Sequence, residues 1–292
     1  MERYYNIAGI VFRVTGHGED FSPEEGPLAP FRVPPCPWDH TLEIEAVSGL
    51  PAPAGSQLYT DPGKRVYQEG EAQVRYVGAV AQGAGHAYLR IARRGTASRV
   101  LLRRDYAGPG APIGPRVILN SLEAEHHIAA RGGFLLHASY IRHNGRAILF
   151  TAPSGTGKST QAALWESLRG AEVLNGDRAA VMPGGFVHGL PFSGSSGISK
   201  NVTSPLAAIV CLSQAPETAI TPLSGLRAFR QVWEGCSVNI WDRGDVDACS
   251  RAVLDTVSAV PVFHLACTPD ESAVSALENA LKGCERHGKT TV

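Results

Sequence analysis

The chain has 292 residues, enough for about two domains that bury hydrophobic cores without disulfide or metal staples. Its 27 Lys and Arg residues balance 27 Asp and Glu residues, so no overall basic charge attracts nucleic acid or anionic lipid. With 43% hydrophobic and 18% charged residues, the composition argues against a disordered chain. We therefore expect neither a nucleic acid nor a membrane as a partner.

The sequence shows no targeting or membrane segment. The N-terminal residues lack the basic and then apolar pattern of a secretory signal. The longest apolar stretch, residues 206–212, is far shorter than the roughly 18 residues of a membrane span. The six cysteines form no C-x-x-C pair, so neither a zinc ribbon nor a thioredoxin-type motif is indicated. These features predict a cytoplasmic protein with reduced thiols.

Residues 1–117 have the pattern of short strands separated by turns. Residues 41–47 alternate cleanly between apolar and polar side chains, which is typical of a half-buried strand. Weaker strand patterns cover 5–14, 72–77, 87–92 and 98–104, with turn clusters at 61–63 and 108–112. The sequence predicts a smaller, mainly antiparallel β domain. Its role is either substrate recognition or dimerisation, and a homo-oligomer stays open.

Residues 118–292 have a different pattern, in which strands and helices alternate. A helix is predicted over 119–130, with His126 and His127 on its surface because they lack the H-E-x-x-H spacing of zinc proteases. Further helices are predicted over 226–240, 246–260 (with Asp245 as the cap) and 270–282. The alternation predicts an α/β domain, in which helices cover a sheet.

The strongest local signal lies between residues 134 and 160. Residues 134–141 and 146–151 predict two strands, joined by Asn144-Gly145, which is a strong hairpin signal. The second strand runs into Ala-Pro-Ser-Gly-Thr-Gly-Lys-Ser at 152–159 and then into a helix. A strand, a glycine-rich loop, Lys-Ser and a helix form the context of a phosphate-binding P-loop.

The residue types of this loop suit nucleotide phosphates. Gly155 and Gly157 allow backbone angles that turn successive N–H groups towards an anion. Lys158 supplies a cation for the β and γ phosphates, and the Ser159 hydroxyl suits Mg²⁺. Ala152 replaces the usual first glycine, which is acceptable only if its φ is negative. The predicted ATP-binding residues are Ser154, Gly155, Thr156, Gly157, Lys158, Ser159 and Thr160.

An acidic residue completes the predicted site. Asp177 stands 19 positions after Lys158 (177 − 158), and it is the third residue after a strand pattern at 172–174. Asp177 is predicted to hold Mg²⁺ together with Ser159, or to accept a proton from an attacking hydroxyl. The alternative is a surface Asp-Arg turn. His137 fits either a core histidine or a site residue, and residues 191–197 fit either a substrate loop or a linker. For Lys200 and Arg227 a solvated position is favoured over a phosphate contact.

Several motifs together resemble one family. They are Phe-Leu-Leu-His-Ala-Ser at 134–139, the Asn-Gly hairpin, the P-loop, Asn-Gly-Asp-Arg at 175–178 and Gly-Leu-Pro-Phe-Ser-Gly at 189–194. This combination resembles the HPr kinase and phosphoenolpyruvate carboxykinase superfamily, and within it the small HPr-kinase-like proteins that include lasso-peptide kinases. The resemblance implies a mixed sheet in which the P-loop strand has an antiparallel neighbour. It also implies Asp177 as catalytic base or Mg²⁺ site and His137 near the transferred phosphate.

The resemblance has limits. HPr kinases usually carry two adjacent acidic residues where this chain has Gly176-Asp177. The glycine- and isoleucine-rich signature of HPr kinases and the oxaloacetate-binding part of carboxykinases are not evident. The implied function is a Mg-ATP-dependent kinase with Asp177, Lys158 and His137 as catalytic residues, acting on a Ser or Thr hydroxyl of a peptide or small protein. A kinase for free serine or another small metabolite, and a nucleotide-binding regulatory module with little turnover, stay open as alternatives.

Overall fold

The computed structural model describes residues 1–17, 20–78, 86–107 and 112–288. The chain forms two compact units, Met1–Glu123 and Ala124–Val292, whereas the sequence predicted a division after residue 117. Most of the predicted turn at 108–112 falls outside the described residues. Within the described residues, no helix is both long and apolar enough to cross a membrane.

The first unit contains a nine-stranded mixed sheet with the order β3-β1-β2-β4-β9-β8-β7-β6-β5. The pairs β2–β4 and β4–β9 are parallel, and the other neighbours are antiparallel. Alternate residues are buried, such as Phe12 and Val14 on β2 and Leu42 and Ile44 on β4, because successive side chains of a strand point to opposite faces. The elements are β1 (Glu2–Ile7), β2 (Ile10–His17), β3 (Arg32–Val33), β4 (His40–Val47), β5 (Ser56–Thr60), β6 (Lys64–Glu69), β7 (Ala72–Gly78), β8 (Ala87–Arg94), β9 (Ala97–Arg103), α1 (Arg104–Ala107) and α2 (Pro115–Ser121).

Two predictions for this part of the chain were wrong. Residues 5–14 are not one strand, because Ala8 and Gly9 have φ of 53° and 79° and form the turn of a hairpin between β1 and β2. The helix predicted over 119–130 is broken at Glu123, whose φ is 45°. The Glu123 side chain is buried, and its Oε1 lies 2.7 Å from Nε of Arg75. This buried ion pair fixes the carboxylate on the first sheet and interrupts the helix.

The second unit is an α/β structure built around a second mixed sheet. Its elements are α3 (Ala124–Ala129), β10 (Phe134–His143), β11 (Arg146–Thr151), α4 (Lys158–Arg169), β12 (Glu172–Asn175), β13 (Arg178–Met182), β14 (Phe186–Gly189), β15 (Thr203–Gln214), β16 (Ala219–Leu223), α5 (Gly225–Trp233), β17 (Cys236–Ser237), α6 (Arg243–Ala259), β18 (Val262–Cys267) and α7 (Glu271–Gly288). The strands at 134–143 and 146–151 confirm the predicted hairpin, in which Asn144 and Gly145 have φ of 48° and 75°.

Strand β10 organises this sheet, because it pairs with different strands along its length. Its residues 134–137 pair with β13, and its residues 138–143 pair with β11. Strand β11 lies antiparallel to β10 and parallel to β15, and β15 is parallel to β18. The P-loop strand therefore has the antiparallel neighbour that the sequence predicted.

In the described part of the second unit, buried hydrophobic residues form two cores. One contains Phe150 of β11 together with Trp165 of α4 and Leu277 of α7. The other contains Leu149 of β11 together with Val232 of α5 and Val253 of α6. Neighbouring residues of β11 thus enter different cores, so helices cover both faces of the sheet. The carboxyl ends of β11, β15 and β18 meet at one edge, the usual ligand position in open α/β sheets.

The structure also corrects the elements around α5 and α6. The helix predicted over 226–240 ends at Trp233, because the chain turns towards β17. Just before that strand, Gly235 O accepts a hydrogen bond of 2.8 Å from His137 N. Asp242, not Asp245, caps α6 by accepting a hydrogen bond from the backbone N–H of Asp245. His126 is not a surface residue of a helix, since its Nδ1 lies 2.8 Å from Oδ1 of the buried Asp245.

Candidate functional site

The P-loop connects the end of β11 to the start of α4. Gly155 and Gly157 have φ of 79° and 119°, angles that residues with a side chain rarely adopt. Ala152 is not among the described non-glycine residues with a positive φ. An alanine is therefore acceptable at this position of the loop. The loop thus has the backbone that an anion-binding nest requires, at the positive end of the α4 dipole.

Lys158 is folded back over the start of the loop. Its ammonium donates hydrogen bonds to the carbonyl oxygens of Ala152 (2.9 Å) and Pro153 (3.3 Å), and the residue is buried. Burial lowers the pKa of Lys158, and the charge of Asp177 partly opposes that shift. A bound phosphate group would offer this buried cation a stronger partner than two neutral carbonyls.

Asp177 is positioned by its own chain and by β10. The side chain of the buried Asn175 accepts hydrogen bonds from the backbone N–H groups of Asp177 (2.8 Å) and Arg178 (2.9 Å). The amide of Asn175 donates to Leu190 O at 2.7 Å, and Asp177 O accepts from Ala138 N at 3.0 Å. Sequence reasoning missed Asn175 as a positioning residue, although Asn two residues before Asp is a typical Asx-turn signal.

His137 and Arg178 flank the Asp177 carboxylate. His137 Nε2 lies 3.6 Å from Asp177 Oδ1, and Arg178 Nε lies 3.4 Å from Asp177 Oδ2. Burial lowers the pKa of His137; Lys158 and Arg178 lower it further, while Asp177 opposes them. The imidazole is therefore neutral at neutral pH.

These residues line one cleft of about 320 Å³. The cleft brings together all predicted site residues except Thr156, namely His137, Ser154, Gly155, Gly157, Lys158, Ser159, Thr160 and Asp177, and it adds Gly176 and Ser195. Thr156 lines a neighbouring hollow with residues from the ends of β15 and β18. Lys200 and Arg227 do not line the cleft; Lys200 pairs with Glu172 at 2.9 Å.

Residues 191–197 pack against this cleft. A Cβ atom on Gly176 would lie 2.2 Å from Ser196 Oγ, and one on Gly194 would lie 2.8 Å from Asp177 Cβ. Arg178 stacks its guanidinium over the Phe192 ring, with 5.3 Å between Cζ and the ring centroid. Ser196 fills the space that a side chain at position 176 needs. A second acidic side chain beside Asp177 has no room in this arrangement.

Among the described residues, two sets of side chains have the composition of a metal site. The Ser159 hydroxyl and the Asp177 carboxylate line the same cleft, and hard oxygen donors of this kind suit Mg²⁺. His126, Asp242 and Asp245 also lie within 4.8 Å of one another. Asp245 already bonds to His126 and Asn239, and Asp242 caps α6, so this second set is accounted for by local structure.

A protein-family model described as SynChlorMet cassette protein ScmC matches residues 118–282, more than half of the chain. The chain belongs to the ScmC family. The matched residues include the whole cleft that contains the P-loop, His137 and Asp177. No curated protein sequence matches the chain.

Among solved structures, the chain is similar to the HPr(Ser) kinase/phosphatase from Coxiella burnetii, with 13% identity and a TM-score of 0.26. The match covers 52% of this chain and 98% of the other. Because this similarity is distant, it says nothing about the chemistry of the cleft, which follows from the residues of the cleft and their geometry.

Proposed function

We propose that the protein is an ATP-dependent kinase that transfers the γ-phosphoryl group to an alcohol. The observation that carries this proposal is the cleft itself, where Lys158 and the P-loop face the Asp177 carboxylate and His137. The P-loop offers binding energy for phosphate oxygens, and Asp177 offers a base beside them. Phosphoryl transfer needs little more than such positioning and charge stabilisation.

In this reaction, each residue of the cleft has a separate role. The N–H groups of the loop, the N-terminus of α4 and Lys158 bind the β and γ phosphates. Asp177 orients the acceptor hydroxyl and takes its proton while the hydroxyl oxygen bonds to the γ phosphorus. The bond between that phosphorus and the β–γ bridging oxygen breaks, and ADP leaves. The neutral His137 lies beside the Asp177 carboxylate, with 3.6 Å between Nε2 and Oδ1, and does not neutralise its charge.

Ser159 and Asp177 are the residues that would hold Mg²⁺, which when bound neutralises phosphate charge. Both fit the ion because they offer a hydroxyl and a carboxylate oxygen in the same cleft. The remaining ligands of such an ion are ordinarily waters and phosphate oxygens.

The acceptor that we propose is a Ser or Thr hydroxyl of a peptide or small protein. Two observations support it: the resemblance of residues 134–194 to lasso-peptide kinases, and the exposed loop with Ser195 beside the cleft. A kinase for free serine is the alternative within the same chemistry. The cytoplasmic location, the homo-oligomer and the role of the first unit stay predictions from the sequence.

The packing at Gly176 favours one further candidate, a nucleotide-binding regulatory module with little turnover. The contact with Ser196 leaves a single acidic side chain where HPr kinases usually carry two. A site with one carboxylate retains phosphate binding through the loop but has fewer oxygen atoms for a metal and a base.

The deciding experiment combines the purified chain with Mg²⁺ and γ-labelled ATP. Peptides encoded by neighbouring genes and free serine serve as acceptors. We expect label on a hydroxyl with the wild-type protein and none with Asp177→Asn, which keeps the shape and removes the base. Asp255→Asn, at an exposed position on α6, is the matched control and should keep full transfer. Nucleotide binding without transfer to any acceptor would instead support the regulatory module.

A further inference from the structure

A second pocket, of about 420 Å³, shares His137 with the phosphate cleft. Its wall consists of residues 151–153 at the start of the P-loop, residues 211–213 of β15, His264 of β18, and residues from the end of α5 and β17. All of them belong to the second unit. The volume lies within the roughly 300–1,000 Å³ that is typical of small-ligand sites.

The pocket and the phosphate cleft differ in charge. The phosphate cleft contains Lys158 and backbone N–H groups, which suit anions. Among the described residues that line the second pocket, Glu234 is the only Asp, Glu, Lys or Arg. A pocket whose one formal charge is negative does not suit a second phosphate, and it favours a ligand that carries a positive charge.

Two residues that line the pocket carry carbonyl or carboxylate acceptors that bear on such a ligand. Gln231 Oε1 is buried and receives no hydrogen bond from any residue in the described part of the chain. Glu234 Oε1 lies 3.1 Å from Arg230 Nε, but the two side chains are 62% and 82% exposed, so Glu234 lies at the rim of the pocket. Exposed pairs of this kind contribute little stability, so Arg230 is readily displaced by a ligand. A buried acceptor without a donor is costly unless a ligand or water satisfies it.

The other polar groups of the pocket are neutral or already paired. Ser213 Oγ and His264 Nε2 are hydrogen-bonded to each other at 2.9 Å. Burial raises the pKa of the Cys211 thiol to about 12, so it stays protonated. Selectivity in this pocket therefore depends chiefly on Gln231 and Glu234.

We propose that this pocket binds the phosphate acceptor, with its hydroxyl at His137 and a positively charged nitrogen near Gln231 and Glu234. The inference rests on the proposed kinase function and specifies the chemistry of its acceptor. The cationic nitrogen has two sources, the α-ammonium group of free serine or a basic side chain next to Ser in a peptide. Either source places the hydroxyl beside the residue that both clefts share.

Binding to the full chain tests this inference without turnover. Titration calorimetry with Mg²⁺ and a non-hydrolysable ATP analogue would compare free serine, acetyl-Lys-Ser-Ala amide and acetyl-Glu-Ser-Ala amide. We expect the wild-type protein to bind the Lys peptide about fivefold more tightly than the Glu peptide, the scale of one rim charge. Glu234→Arg should reverse that order, whereas Asp255→Arg, an equal charge change at an exposed position on α6, should not. Affinity for the ATP analogue should be equal in all three proteins.

Each outcome has one meaning. Preferential binding of the Lys peptide assigns the cation to a peptide side chain, and binding of serine alone assigns it to the α-ammonium group. The inference is overturned if Glu234→Arg changes neither the order of the peptides nor the affinity for serine, or if none of the three probes binds at millimolar concentration while the ATP analogue does. Selective binding in this titration, together with no label on any acceptor in the γ-labelled ATP experiment, would refute the kinase proposal and leave the pocket assignment standing.

Discussion

Replacing Gly176 by Ala tests how closely residues 191–197 pack on the phosphate cleft. Gly176 is not among the described glycines with a positive φ, so its backbone accepts a side chain. The added Cβ atom, however, would lie 2.2 Å from Oγ and 2.5 Å from Cβ of Ser196. These distances are far below van der Waals contact, so the turn that carries Ser196 has to move.

The expected magnitude follows from two opposing effects. Gly-to-Ala changes at unstrained positions raise the free energy of unfolding by about 0.4–1 kcal/mol, because the unfolded chain loses conformational freedom. Overpacking costs about 1–3 kcal/mol. We therefore expect Gly176→Ala to lower the free energy of unfolding by about 1.3 kcal/mol, the difference between the midpoints of these two ranges. In a Ser196→Gly background both contacting atoms are absent, and the same change should be neutral or stabilising.

Urea unfolding of the wild type, both single variants and the double variant measures this coupling. Gly283→Ala is the matched control, because a Cβ atom there meets nothing within 4 Å and the position lies inside α7. That control should be stabilised. If Gly176→Ala is as stable as the wild type, or if Ser196→Gly does not reverse its effect, the packing of this loop on the cleft is refuted.

Three further predictions concern charge. Lys158→Ala should lower phosphoryl transfer about 10²–10³-fold, the usual loss for one donor to a transition-state oxyanion, and unchanged transfer to the best acceptor would contradict the proposed role. Glu123→Gln should lower the free energy of unfolding by about 3–5 kcal/mol, because it leaves the buried Arg75 without its counter-charge; urea unfolding would show it, and a loss below about 1 kcal/mol would contradict it. The pKa of His137 is lowered from 6.5, so its imidazole is protonated only below that pH. The positive charge then stabilises the Asp177 carboxylate and makes Asp177 a weaker base. The rate should fall on that acidic side, and a pH–rate profile in which His137→Asn keeps the same acidic limb would contradict this reasoning.

Local signals in the sequence were sufficient to predict the elements that position the phosphate loop. Asn144-Gly145 predicts a hairpin, because the tight turn needs two residues that accept a positive φ. The glycines of the P-loop predict an anion-binding nest for the same reason. These requirements involve only neighbouring residues, so they can be read from the chain. The start of α4 at Lys158 follows from them.

Other parts of the site depend on contacts between distant residues and leave no periodic signal. Residues 226–240 have a helical pattern, yet the helix ends because Gly235 must approach β10 and β11. A Cβ atom on Gly235 would lie 2.5 Å from Thr151 Oγ1, and Gly235 O accepts a hydrogen bond from His137 N. Nothing within residues 226–240 encodes those partners. The second pocket, whose wall includes this segment, was therefore not predictable from the sequence.

The same contacts explain why one residue of β10 borders both clefts. His137 is the last residue that pairs with β13, opposite Arg178, and the next residue pairs with Thr151 at the end of β11. At this change of partner, the backbone N–H of His137 bonds to Gly235, and its carbonyl accepts a hydrogen bond from Thr151 Oγ1 at 2.9 Å. The main chain at residue 137 thus joins the P-loop strand to the segment that lines the second pocket. Because main-chain groups make these bonds, the imidazole can serve the site without also having to hold the two clefts together.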